Sequence, residues 1–144
     1  MADFVFNVAL GKVAEKAADG ATLKLLVLKA SDSDATLKDL DTVSAVLANG
    51  STTEANFTNY SRATLGSVTV TVDDSTDSVK VDCADVTFSS AGGATNNTCV
   101  DVVIYEEVTN DSDSIPLVLL DAAFTTDGND VTLQFNASGF FSAT

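Results

Sequence analysis

Hydrophobic and polar positions alternate most clearly in the middle of the chain. Residues 79–108 read VKVDCADVTF, SSAGGATNN and TCVDVVIYEEV, two β-branched runs around a loop of small and polar residues. Gly92-Gly93 supplies backbone freedom at positive φ, and Asn96-Asn97 tolerates the same region, so the loop is able to turn back on itself. On the second run Val100, Val102 and Ile104 face one way, while Asp101, Val103, Tyr105 and Glu107 face the other. On the first, Val79, Val81 and Cys83 share a face, and Val86 and Phe88 have the opposite parity. A bulge near Ala84-Asp85 is expected to bring these five together. The pattern predicts a central β-hairpin with a long loop.

Before it, Phe4, Phe6, Val8 and Leu10 alternate as in a strand, while Phe6, Ala9, Leu10, Val13, Ala14 and Ala17 fit a helical stripe. The expectation is a short extended arm leading into a helix over about 9–18, stopped at Asp19-Gly20. Residues 22–30, TLKLLVLKA, form a continuous apolar run of strand length, hence a buried strand. Leu37, Leu40, Val43, Val46 and Leu47 have helical spacing, with Asp34 or Thr36 as cap and Asn49-Gly50 as stop. Residues 51–62 read as a loop with little strand, anchored by Phe57 and Tyr60. Val68, Val70 and Val72 alternate with threonines as a strand. After the hairpin, residues 115–124 form a strand opened by Pro116, which belongs at an edge or a strand start. A turn over 126–129 precedes a last strand carrying Val131, Leu133 and Phe135.

Strands at intervals of about ten residues predict a mainly β protein, an antiparallel β-sandwich or barrel-like body with one or two short helices in the N-terminal third. The expected organisation is a single domain over 1–144, with an N-terminal arm over 1–8 and a C-terminal tail over 136–144.

Charge adds a constraint. The 144 residues carry a formal net charge of −14 with no His. Residues 1–62 hold six of the seven basic side chains against eight acids; residues 63–144 hold only Lys80 against thirteen. The second part is expected to repel nucleic acid and anionic membrane, and the first to offer the better docking surface. Without histidine, Ser-His-Asp and Cys-His hydrolases and His-ligated zinc sites are excluded. The start, MADFVFNVALGKVAEKAADG, lacks a basic n-region and places Lys12, Glu15 and Lys16 inside what would be an apolar core. It is not read as a signal peptide, which predicts folding in a cytoplasm.

Few residues offer chemistry. Acidic clusters recur at Asp32/Asp34, Asp39/Asp41, Asp73/Asp74/Asp77, Asp111/Asp113 and Asp127/Asp130. Calcium in such loops is an option, but none has EF-hand spacing, and the plainer reading is solvated turns. Cys83 and Cys99 have no His, CxxC partner or basic neighbour, and are expected to be free thiols. Gly92-Gly93 is followed by a strand and has no nearby Lys, so it is not a phosphate loop. Phe4, Phe6, Phe140 and Phe141 sit at the chain ends, where aromatics either close the core or anchor in a neighbouring subunit. They are the candidate assembly contacts.

Several segments resemble a family of small structural proteins of tailed bacteriophages: FVFNVALGKVAE, DATLKDLDTVSAVLANG, NFTNYSRATL, FSSAGGATNNT and IPLVLLDAAFTTDGNDVTLQFNASGFF. The similarity covers most of the chain, is one of order and texture, and departs over residues 64–85. It implies a non-enzymatic virion component. The expected protein is a capsid decoration (cement) protein on the outer capsid surface, made in the host cytoplasm and bound to the major capsid protein. It would self-associate as a trimer, without cofactor and without direct nucleic-acid or membrane contact. The alternatives are a tail adaptor or tube protein and a fibre-associated module that binds host glycans.

Overall fold

Leu23, Leu25, Leu26, Val27 and Leu28 are consecutive or nearly so, and all are buried. They belong to a strand covered on both faces, which buries successive side chains, and that strand, with one like it, organises the molecule. The structure is a computed structural model and describes residues 2–144. In chain order it contains β1 (Phe4–Val5), a 3-10 turn (Asn7–Ala9), α1 (Val13–Ala18), β2 (Leu23–Ala30), α2 (Asp34–Leu37) and α3 (Val43–Ala48). Next come β3 (Thr53–Glu54), β4 (Ala63–Thr64), β5 (Thr69–Asp73), β6 (Ser78–Asp82) and β7 (Val86–Phe88). The chain ends with β8 (Thr98–Glu106), β9 (Ile115–Thr125), β10 (Val131–Leu133) and β11 (Phe141–Ala143). The protein is mainly β, with 37% strand against 13% helix, in three antiparallel sheets of which none closes into a barrel.

The main sheet runs β1-β9-β8-β2-β3, with β4 also on β2. Its interior is apolar against apolar: Leu25 opposes Ile104, Val27 opposes Val102, and Val103 opposes Leu119. The outer edge of β2 is shared. β3 takes Leu28 and Ala30, and β4 takes Lys24 and Leu25. Between them Tyr60 fills the gap. Val27 N–H donates to its Oη at 3.0 Å, and the hydroxyl donates to Glu54 at 2.7 Å. Phe57 then meets Tyr60 and Phe88 edge-on, at 5.0 Å and 5.7 Å. The other sheets are β10-β7 and β11-β6-β5.

The expected central hairpin does not form. β6 pairs with β5 and β11, β7 pairs with β10, and β8 pairs with β2 and β9. No bulge re-aims residues 84–85; the chain changes sheets there. The apolar residues of β8 lie on both faces, so its stable neighbours are the two other strands apolar on both faces, β2 and β9, rather than the half-polar β6. Gly92 and Gly93 do take positive φ, 93° and 97°. They close a loop tied across the molecule: Gly92 N–H donates to Thr58 O, and Ala91 N–H to Asn129 O, each at 2.9 Å.

The helices also differ from expectation. The stripe over 9–18 starts as a 3-10 turn, and its α-helix begins at Val13. The helix expected over 37–47 is two helices. The end of α2 docks on the N-terminal arm, where Asn7 N–H donates to Lys38 O at 2.7 Å. A new helix starts at Thr42, whose hydroxyl accepts from Ala45 N–H at 3.1 Å. The cap is therefore Thr42; Asp34 lies inside α2, and Ser33 precedes it. Both chain ends are laid on the body as strands, the arm through β1 on β9 and the tail through β11 on β6.

Candidate functional site

A cleft of about 470 Å³ opens where two strand edges are left unpaired. β1 covers Val118 and Leu119 of β9, so, among the described residues, 120–125 have β8 on one side and no strand on the other. β10 likewise carries β7 on one side only. A turn joins β9 to β10 and would ordinarily make a hairpin of them. Its backbone is engaged elsewhere: Gly128 N–H donates to Ala91 O at 2.7 Å and Thr126 N–H to Asn97 O at 3.0 Å. β10 is thereby drawn to β7, and the space between the two edges stays open.

Leu120, Phe124, Leu133, Phe135 and Phe140 line the cleft. Phe135 and Phe140 meet edge-on at 6.2 Å. At one end stand Asp3 and Asp121, and no basic side chain lines the cleft. Asp3 accepts Asp121 N–H at 2.6 Å, so the arm leaves the β9 edge with a carboxylate where its next ladder bond would be. Lys80, the one basic residue after Arg62, donates to Ala137 O at 2.8 Å. Such a cleft offers apolar contact and main-chain donors and acceptors, the means by which sheet edges recognise extended polypeptide.

The terminal aromatics divide in two. Phe6 and Phe140 are buried in the chain's own core, at 0% and 6% exposure. Phe4 packs edge-on against Phe6 at 5.1 Å and is half-buried, as is Phe141 beside β6. Phe4 and Phe141 thus keep a part-exposed ring. Charge is mixed in space although it is split in sequence. Lys16 reaches Glu106 at 3.3 Å and Lys24 reaches Glu107 at 2.8 Å. Arg62 forks onto Glu54 at 2.7 and 2.8 Å and onto Asp111 at 2.6 and 2.9 Å, and lies over the Tyr105 ring. Lys16, Lys24 and Arg62 of the first part are thus paired with acids of the second.

The Asp-rich turns use their carboxylates locally. Asp73 accepts from Ser75 N–H and hydroxyl, and Asp127 from Asn129 N–H and side-chain amide. These bonds hold both carboxyls below the usual carboxylate range. Among the described residues no group of three or more His, Cys, Asp or Glu is placed to hold a metal ion. No helix among them is long and apolar enough to cross a membrane. Cys83 and Cys99 are free and buried, and burial pushes their thiols up, to about 12 and about 11.

One buried charge was hidden in the alternation. Asp101 is 0% exposed in the middle of β8, cross-strand from Asp121. One of its oxygens accepts from the Ser31 hydroxyl; the other, Oδ1, has no hydrogen-bond partner among the described residues. Burial raises its pKa, with Asp121 and Asp34 adding to the rise against the opposing Ser31 bond. The signal available in sequence was a lone acid inside TCVDVVIY. Comparison with protein-family models, with curated proteins and with solved structures gives no match.

Proposed function

We propose that the chain is a non-enzymatic virion structural protein of a tailed bacteriophage, a capsid decoration (cement) protein bound to the outer face of the major capsid shell. One observation supports this reading above the others. The five segments that resemble the phage family are scattered along the sequence but contact one another in space. Residues 56–65, 88–98 and 115–141 are joined by Thr58–Thr95, Gly92–Thr58, Ala91–Asn129 and Thr126–Asn97 backbone bonds. Residues 4–15 and 34–50 are joined at Asn7–Lys38, and the first of them lies on β9. The stretch that departs from the family, residues 64–85, is largely the β5–β6 hairpin, whose outer strand is mostly exposed. The resemblance thus corresponds to a connected body rather than to unrelated patches.

Decoration requires a rigid body, a docking surface and an outer face that repels copies of itself. The net charge of −14 supplies the last. Contacts made only in the assembled shell stabilise it by mass action, and a trimer with Phe4 and Phe141 at its contacts is the form proposed. The test is co-sedimentation with purified phage heads, followed by heating with and without the protein. Stoichiometric binding and a raised disruption temperature are expected. Binding to tails alone would instead support the tail adaptor or host-glycan reading.

A further inference from the structure

We propose that the cleft between the free edges of β9 and β10 binds an extended segment of a partner protein by strand addition, and that the segment is basic at one end. This inference stands apart from the virion reading, since it concerns what the isolated chain recognises.

Three observations carry it. First, the cleft is bounded by residues 120–125 of β9 and by β10, each with a strand on one side only among the described residues. At about 3.3 Å per residue, a segment laid along residues 120–125 would run about 20 Å, the length of an ordinary strand. Secondly, Leu120, Ala122 and Phe124 on one wall and Val131, Leu133 and Phe135 on the other are half-buried residues at alternate positions, interleaved with exposed ones. They match a ligand with apolar side chains at every second residue. Thirdly, the charge is of one sign. Asp3 and Asp121 line the cleft, and no Lys or Arg does. A second copy of this chain would bring two more carboxylates and a net charge of −14 to the same edge, and this repulsion disfavours self-pairing. A Lys- or Arg-bearing segment gains where a second copy loses.

The probe is a displayed library of random nonapeptides, selected on the immobilised full chain. Selected peptides are expected to alternate apolar and polar residues and to carry Lys or Arg at one end. Their binding is expected to shift the amide resonances of residues 120–125 and 131–136. N-methylation of a selected peptide, one residue at a time, should alternate between at least tenfold loss of affinity and little change, because a strand bonds through alternate amides. Asp121→Lys, at an exposed position, leaves a Lys beside Asp3 and should abolish the preference for basic ends. No enrichment, a flat N-methyl series or resonance shifts elsewhere would overturn the proposal. So would a dimer in sedimentation that these peptides dissociate, since the occupant would then be a second copy.

Discussion

Asp101 is an acid in a place that favours a neutral side chain. Its raised pKa fixes the sign of its contribution. The protonated form is the one the fold accommodates, so the contribution is fully present below the unfolded value of about 3.9 and is lost as pH rises through the folded value. Asp101→Asn keeps an acceptor for Ser31 and removes the charge facing Asp121. It is expected to stabilise the protein by about 1 kcal/mol at pH 7 and by progressively less toward pH 4, measured as the difference between variant and parent in urea melts. A constant difference across that range would show that the gain is not electrostatic. Arg62 has the opposite character, with every strong contact satisfied and Asp111 held below the usual carboxylate range by the guanidinium.

At the scale of elements, the tail depends on one glycine. Gly139 has φ +76°, and a Cβ there would strike the Val81 carbonyl oxygen, the acceptor of Phe140 N–H at 3.0 Å. Gly139→Ala is expected to cost about 1–3 kcal/mol. It should also free β11, so that chymotrypsin cuts at Phe140 and Phe141 well before the body unfolds; mass spectrometry of a limited digest checks this. An unchanged digestion pattern would mean that β11 holds without that geometry. The elements themselves were largely legible in the sequence. TLKLLVLKA reads as a buried strand because its continuous apolar run has strand length, and the acidic turn at 73–78 does join β5 to β6. Partner choice was not legible. Gly92-Gly93 marks a reversal, but parity and loop residues do not say that β8 belongs between β2 and β9. The helix over 37–47 keeps its period straight through Leu40, so the break at Thr42 depends on the docked arm. The cleft had no sequence signal at all, because it arises from the failure of β9 and β10 to pair across an ordinary turn.

For the whole molecule, self-repulsion is the main electrostatic term. Seven basic side chains face twenty-one acids, and several of the seven are already paired. Screening should therefore help more than it harms. Raising NaCl from about 0.05 to about 0.5 M shortens the Debye length to about 4 Å and is expected to raise the thermal midpoint by a few degrees. A fall would mean that the Arg62, Lys16 and Lys24 pairs outweigh the surplus charge.

The neighbours at the centre of the main sheet, β2 and β8, begin at Leu23 and Thr98. During synthesis the most apolar stretch of the chain therefore leaves the ribosome long before the strand that covers its inner edge exists. Until β8 has emerged, Leu25, Leu26 and Val27 have at most the short β3 and β4 beside them. Folding by such distant pairing is slow and exposes sticky intermediates. A nascent chain stalled before β8 is thus a natural client for chaperones, and the core closes only once Thr98–Glu106 has emerged.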